Sequence, residues 1–368
     1  MALIQFNNEQ KMIQNEVRKL VQSELEPITS EIDKKSTFPA DIVKKLSELG
    51  LSSLIIPEKY GGADLDTTCL CIALEELAKV SASVSLILAV NNCLVAYPIM
   101  KYGSEQTKDQ YLGQLSKGVV GGYVVETGFE SSERKIEHEE KQGVISITGS
   151  FDFVLNGESA KFIILPVKTE NGRTLHIHDK NPENSLSKHR ILGMRAAGIV
   201  SLKFKSISLP NDKCLAAPQE SEQVFQDIQN YSDIIFSAIS LGIAEAAYDA
   251  TLDYSKERRQ FGRAICEFPM VQEMLINMKT NITASRFLVY DAAAKADTDQ
   301  NYSLDAHIAR LFVSKTAVSC GLDAIQVYGG YGYIKEYPVE RHMRDAKTMQ
   351  VLNATPVELK SVLAKELL

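Results

Sequence analysis

Hydrophobic residues recur with a helical period at both ends of the chain and alternate with polar residues in its middle. Between Asn7 and about Gly118 the spacing is three to four residues, which is typical of amphipathic helices. Two such stripes are formed by Met12, Val17 and Val21 and by Ile42, Leu46 and Leu49. Short β-branched segments separated by Gly, Asn or Pro then predict strands. They cover residues 121–125, 144–148, 162–167, 174–178 and 200–209.

Helical periodicity resumes near Glu220. Residues 224–260, 268–296 and 303–327 form segments too long for ordinary isolated helices, which favours antiparallel packing in a bundle. Met270, Met274 and Met278 mark the predicted inner stripe of the second segment. Near the end of the chain, residues 355–358 read Thr-Pro-Val-Glu, a capping box with proline at the first helical position. A last helix is therefore predicted to begin at Pro356.

These patterns predict a mainly α protein with a central β domain. A chain of 368 residues exceeds the usual size of one hydrophobic core, so more than one domain is expected. We predict an N-terminal helical domain over residues 1–118, a middle β domain over residues 119–217 and a C-terminal helical bundle over residues 218–368.

Composition narrows the class of partner. A net charge of -7, with charges of alternating sign, gives no support to nucleic-acid binding. The six cysteines lack a C-x-x-C pair, as expected in a reducing compartment. The most apolar run, residues 83–100, is interrupted by Asn91 and Asn92, so we expect no membrane span. The predicted location is cytoplasmic, with an organelle matrix as the alternative.

Five stretches carry a family resemblance. They are residues 54–66 (LIIPEKYGGADLD), 75–118, 190–210 (RILGMRAAGIVSLKFKSISLP), 241–262 (LGIAEAAYDATLDYSKERRQFG) and 326–346 (QVYGGYGYIKEYPVERHMRDA). In this order they resemble acyl-CoA dehydrogenases across nearly the whole chain. The resemblance implies an N-terminal helical domain, a middle β-barrel domain and a C-terminal four-helix bundle.

The resemblance also implies FAD as cofactor, shared between two subunits. In that family a carboxylate removes the α-proton of an acyl thioester while a β-hydride passes to the flavin. Residues that would hold the pyrophosphate and adenosine of a neighbour's FAD match the family motifs R-x-x-F-G and Q-x-x-G-G. They are Arg258, Gln260 and Phe261, and Gln326, Gly329 and Gly330. The alternative is that Arg258 pairs with a nearby acid and the glycines merely end a helix.

Residues on the flavin side depart from the family. Val125 replaces a flavin-facing threonine and Glu130 replaces a loop glycine, while Phe153 keeps aromatic bulk without a neighbouring hydroxyl. The family's E-G-T-S motif, which carries the base, aligns with residues 353–356. The base is thus replaced by Asn353, whose amide accepts no proton, whereas Thr355 is kept as a residue near the cofactor.

A second position for the base is known in a minority of the family. It falls at about Ser232, so the adjacent Asp233 is a weaker candidate for a relocated base, although one helical residue turns by about 100°. His176 and His178 alternate on a predicted strand without carboxylate or cysteine partners. An exposed strand face is therefore favoured for them over a metal site, and no metal is expected.

Three functions remain open at this point. The chain is the degenerate subunit of a heteromeric acyl-CoA dehydrogenase, an FAD enzyme with altered chemistry, or an FAD-free binding or structural protein. The expected substrate in the first two cases is a thioester of CoA or of an acyl carrier protein. The expected assembly is a homodimer, a tetramer or a complex with a partner of the same family.

Overall fold

The computed structural model of the chain describes residues 5–125, 136–141, 144–181, 185–298 and 300–368. Helices form both ends of this structure and strands form the middle, as predicted. The first part contains α1 (Asn8–Leu20), α2 (Glu26–Lys35), α3 (Ala40–Glu48), α4 (Thr67–Val80), α5 (Ala82–Ala89), α6 (Tyr97–Tyr102) and α7 (Glu105–Ser116). Short π-helical segments, Val21–Leu25 and Val90–Ala96, join α1 to α2 and α5 to α6.

The asparagines that interrupt the apolar run are buried and satisfy backbone groups. Asn92 donates from Nδ2 to the carbonyls of Leu51 and Leu88, at 3.2 and 2.9 Å. Asn91 Oδ1 accepts from the backbone N–H of Gly121 at 2.9 Å. Because unpaired buried amides are costly, these bonds fix where the first strand leaves the N-terminal helices.

Eight strands form one mixed sheet. They are β1 (Gly121–Val124), β2 (Glu137–Lys141), β3 (Val144–Leu155), β4 (Phe162–Thr169), β5 (Gly172–Asp179), β6 (Ser185–Lys188), β7 (Val200–Pro210) and β8 (Cys214–Ala216). The order is β6-β7-β3-β1-β4-β5-β8, with β2 paired to β3. Only the β1–β4 pair is parallel among these strands; the remaining pairs are antiparallel.

The C-terminal part contains five helices and a small hairpin. The helices are α8 (Ser221–Glu257), α9 (Pro269–Asp297), α10 (Ser303–Tyr328), α11 (Val339–Val351) and α12 (Pro356–Leu367), and the hairpin strands are β9 (Arg259–Gln260) and β10 (Arg263–Ala264). α8 packs against α9, α10 and α11 and also against α4 of the N-terminal part. The predicted start of α12 is confirmed, since Thr355 and Glu358 form the capping box.

A buried ionic cluster joins the N-terminal helices to the bundle. Glu75 of α4 is 1% exposed and contacts Arg286 of α9 at 2.7 Å and Lys79 at 3.5 Å. Lys79 and Arg286 also reach Glu245 of α8. Two cations thus face two carboxylates, of which Glu75 is buried and Glu245 is 14% exposed, and these contacts join α4, α8 and α9.

Several residues lie differently from their sequence pattern. Met12, Leu49 and Met270 are 61%, 61% and 73% exposed, although each continues an apolar stripe. For Met270 the predicted inner position is wrong because it lies in the first turn of α9, whereas Met278 two turns later is buried. His176 is 1% exposed, so the predicted exposed strand face is also wrong. Its strand β5 lies between β4 and β8, and burial lowers the pKa of His176 to about 4.

Two helical stretches meet the length and apolarity expected of a membrane span. They are Ala82–Tyr102 and Ser221–Glu257, and 89% and 72% of their apolar windows are buried inside the protein. Core helices of large domains meet the same criteria, so these stretches are weak evidence for a membrane. In the described ranges, no group of three or more His, Cys, Asp or Glu side chains could hold a metal ion.

Candidate active site

A groove of about 440 Å³ lies where α8 and α10 end. Its walls include Arg258, Gln260, Tyr328, Gly329, Gly330 and Tyr331. α8 ends at Glu257 and α10 ends at Tyr328, and the residues that follow the two helices line the same groove. We call this cavity the C-terminal groove.

The C-terminal groove brings together four of the predicted cofactor residues. The guanidinium of Arg258 is exposed and lies 5.6 Å from the ring centroid of Tyr331. It forms no salt bridge with an acid of the described chain, contrary to the alternative considered for it. Gly329 does end α10, with a φ of 60°, and no atom lies within 4 Å of a Cβ built on Gly329 or Gly330. A ligand could therefore approach the glycine backbone beside the Arg258 guanidinium, which has no ion-pair partner among the described residues.

Two predicted residues lie outside that lining. Gln326 is exposed in the last turn of α10. Phe261 is 94% exposed, with a φ of 50°, at the turn between β9 and β10. A side chain of this size is seldom left in water, so both residues lie where a second subunit could contact them.

A second cavity, of about 600 Å³, lies between α8, α10 and α12. We call it the polar pocket because most of its lining side chains are polar or charged. They include Arg173, Phe225, Gln229, Asn230, His307 and Asn353. The C-terminal groove and the polar pocket share no lining residue.

Asn353 lies in the turn between α11 and α12, with a φ of 64°. Its Nδ2 donates to Gln229 Oε1 and to Ser232 Oγ, both at 3.2 Å. Ser232 in turn donates to the backbone carbonyl of Gln229 at 3.0 Å. The two positions predicted for the base thus hold an amide and a hydroxyl that hydrogen-bond each other. Neither side chain accepts a proton near neutral pH.

Asp233 lies next to this pair but faces the bundle interior. Its side chain is 0% exposed, and its Oδ2 accepts from His307 Nδ1 at 2.8 Å. Its Oδ1 accepts from Gln229 Nε2 at 2.8 Å and lies 3.6 Å from Arg310 Nε. Two hydrogen-bond donors, His307 and Gln229, and the nearby Arg310 cation therefore occupy the Asp233 carboxylate. This arrangement favours a structural ion pair over the relocated base.

The partners of Asp233 hold the turn that carries Asn353. Arg310 is 0% exposed and donates from one terminal nitrogen to the carbonyls of Met349 and Leu352, at 2.5 and 2.9 Å. Burial lowers the pKa of Arg310 to about 10, against the opposing charge of Asp233, so the guanidinium stays protonated at neutral pH. Burial also opposes protonation of His307, but the hydrogen bond and charge of Asp233 outweigh it and raise the pKa of His307 above 6.5.

Of the residues predicted on the flavin side, Val125 directly follows β1 and Phe153 lies on β3. Val125 is fully buried, and its backbone N–H donates to the carbonyl of Phe153 at 3.0 Å. Phe153 stacks on the ring of His189, with centroids 5.1 Å apart. Neither side chain offers a hydrogen-bond donor to a flavin. Glu130 lies outside the described residues. Thr355 accepts from the N–H of Glu358 at 3.3 Å as the cap of α12.

Sequence reasoning missed four residues of this site: Gln229, Asn230, His307 and Arg310. A signal did exist for two of them. Arg310 and His307 are polar residues in the apolar helix α10, and a charge in such a setting usually has a buried partner. Gln229 and Asn230 gave no signal, because amides are common on solvated helix faces.

Comparison with known proteins identifies the class. The protein-family model described as acyl-CoA dehydrogenase, N-terminal domain, matches residues 7–119. The family model described as acyl-CoA dehydrogenase, C-terminal domain, matches residues 225–365. An acyl-CoA dehydrogenase of Bacillus subtilis (strain 168) is 33% identical over 98% of both chains. The chain therefore belongs to the acyl-CoA dehydrogenase family, as an acyl-CoA dehydrogenase-like flavoprotein whose cofactor is FAD.

Two solved structures are similar over nearly the full chain. Butyryl-CoA dehydrogenase from Megasphaera elsdenii is 30% identical, with a TM-score of 0.93, and the match covers 99% of each chain. The prolyl acyl carrier protein oxidase AnaB is 25% identical, with a TM-score of 0.92, over 99% of this chain and 100% of that one.

The C-terminal groove fits one end of this cofactor. A pyrophosphate is anionic and is recognised by guanidinium groups, and glycines without a side chain let it approach the backbone closely. Arg258 and the backbone at Gly329 and Gly330 would hold that group. The flavin side fits less closely, because Val125 and Phe153 supply shape and apolar contact but no side-chain hydrogen bond.

Proposed function

We propose that this chain binds an acyl thioester in the polar pocket and lends its C-terminal groove to the FAD of a neighbouring subunit. It does so without a side chain at residue 353 that can remove the α-proton. FAD, when bound, supplies the hydride acceptor of the family reaction. The assembly that would carry out the full reaction is an oligomer with a catalytic partner.

One observation carries this proposal: Asn353 and Ser232 hydrogen-bond each other at 3.2 Å, and neither is a base. The carboxylate next to Ser232 in the chain, Asp233, is fully buried and accepts hydrogen bonds from His307 and Gln229. Meanwhile Arg258, Gly329 and Gly330 keep an open groove. The residues predicted to bind a neighbour's cofactor are thus retained, while residue 353 has no carboxylate.

The test compares two variants of residue 353 whose new side chains have the same length. Asn353→Glu adds a carboxylate, whereas Asn353→Gln adds the same bulk without a charge, and both share the strain of a left-handed backbone at a φ of 64°. The measurement is anaerobic flavin bleaching by a range of acyl-CoAs. A positioned base contributes about a hundredfold to ten-thousandfold in rate. Because Val125 cannot hydrogen-bond a flavin, we expect Asn353→Glu to recover part of that factor and Asn353→Gln to recover none.

Rapid bleaching by the unchanged protein would contradict the proposal, since it would show that another residue acts as base. Failure of Asn353→Glu together with undetectable thioester binding would contradict the role of the polar pocket.

A second candidate function is catalysis that does not need this base, on a thioester of CoA or of a carrier protein. The observation that favours it is the polar pocket itself, whose 600 Å³ remain open and lined by polar groups. A subunit kept only to support its neighbour would not need such a cavity. Mass spectrometry of thioesters incubated aerobically with the isolated protein separates the two functions.

A further inference from the structure

Two hydrogen-bond acceptors at the polar pocket have no donor among the described residues. The first is Oδ1 of Asn353. Both hydrogen bonds of the Asn353 side chain are donated by its Nδ2, so its oxygen has no donor among the described residues. Since Asn353 lines the cavity, this oxygen is available to a ligand.

A chain of hydrogen bonds fixes the orientation of the Asn353 amide. The ionised carboxylate of Asp233 can only accept, so Gln229 must present its NH2 group to it, at 2.8 Å. The oxygen of Gln229 therefore points the other way, where it accepts from Asn353 Nδ2. Turning the Asn353 amide round would oppose two oxygens, as would turning Gln229 against Asp233. The carboxylate of Asp233 thus determines that the oxygen of the Asn353 amide, and not its nitrogen, has no hydrogen-bond partner in the described structure.

The second acceptor lies on α8. Asn230 is 9% exposed and lines the same cavity, and its Oδ1 is buried without a hydrogen-bond partner in the described structure. A buried amide oxygen without a donor destabilises the protein. A ligand that brings a donor removes that cost, whereas an alkyl chain leaves it in place.

We propose that the polar pocket selects an acyl thioester whose acyl group carries a hydrogen-bond donor, a hydroxyl or an amino group, for the oxygens of Asn353 and Asn230. The inference rests on thioester binding in this pocket, as proposed above, and adds the chemical class of the acyl group. An ordinary fatty acyl chain has no such donor.

The experiment is anaerobic calorimetric titration of the FAD-loaded protein with three probes of equal chain length. They are butyryl-CoA, 3-hydroxybutyryl-CoA and 3-aminobutyryl-CoA. We expect at least one donor-bearing probe to bind about five- to tenfold more tightly than butyryl-CoA, which corresponds to one additional hydrogen bond. The hydroxyl and amino probes distinguish a neutral from a cationic donor.

Two variants locate the effect. Asn353→Gly removes the amide and suits a φ of 64°, and Asn230→Leu removes the other oxygen at similar volume. Each should move the affinity ratio of donor-bearing probe to butyryl-CoA toward one, with flavin content and circular dichroism as checks of folding. Equal affinity of the unchanged protein for all three probes would overturn the inference and leave thioester binding intact. Binding of none of them would overturn both, and an undiminished ratio in both variants would overturn the assignment to these oxygens.

Discussion

Replacing Arg310 with methionine tests whether the buried cluster around Asp233 holds the turn of the active site. Methionine keeps much of the volume and removes the charge and its donors. Three contacts would be lost: the carbonyls of Met349 and Leu352, at 2.5 and 2.9 Å, and the carboxylate of Asp233 at 3.6 Å. Asp233 would keep His307 and Gln229 but would lack its permanent cation.

The size of the effect follows from burial. Breaking a buried pair by removing one partner costs about 3–5 kcal/mol, because the other charge stays buried and uncompensated. With about 2.1 cal/mol/K of unfolding entropy per residue, a cooperative chain of 368 residues should melt about 4–6 °C lower. The double variant Arg310→Met/Asp233→Asn should be less destabilised than the sum of the single variants, by about 1–3 kcal/mol.

The assay is thermal unfolding followed by circular dichroism, with Lys315→Met as control. Lys315 is an exposed cation on the same helix, so its replacement should change stability by less than about 0.5 kcal/mol. An Arg310→Met midpoint equal to that of the control would refute the reasoning. Strict additivity in the double variant would show that Arg310 and Asp233 are not coupled.

Three further predictions concern the cofactor, acid stability and assembly. Arg258→Ala should weaken FAD retention about tenfold or more, the equivalent of about 1.5–3 kcal/mol. The control is Arg259→Ala, because Arg259 is also exposed but does not line the groove, and it should leave FAD retention unchanged. Equal flavin content in both variants would return Arg258 to a structural role. Burial lowers the pKa of His176 to about 4 and that of His342 to about 3. Each of these histidines binds a proton near pH 6.5 only in the unfolded protein. Its contribution to the free energy of unfolding is therefore complete above that pH and falls by about 1–2 kcal/mol between pH 7 and pH 5. His176→Phe should flatten this dependence in denaturation experiments, and an unchanged slope would disprove the assignment. Light scattering at micromolar concentration should give a dimer or a dimer of dimers, and a monomer would contradict the shared cofactor.

The sequence predicted those parts of the fold that depend on local signals. The start of α12 could be predicted because a capping box and a helical proline lie within four residues. The strands β2 (EHEEK) and β6 (SLSK) were missed because their polar composition carries no alternation. They become strands by pairing with β3 and β7, which is a tertiary effect.

The same distinction between local and tertiary features applies to the candidate site. That residue 353 is an amide could be read from the chain, as could the motif around Arg258. The orientation of that amide could not, because it depends on Gln229 and Asp233, more than a hundred positions away in the chain. Its free oxygen follows from the charge state of a carboxylate that only the packed bundle places behind it.

The length of α8 separates two sets of functional residues. Gln229 and Ser232 lie in its third and fourth turns, and Arg258 follows its last residue, so at 1.5 Å per residue the two sets are about 40 Å apart. Substitutions so far apart affect stability and binding independently. Mutations could therefore accumulate at one end of this helix without changing the other. The proposed contribution to a neighbour's cofactor and the proposed thioester pocket can therefore evolve separately.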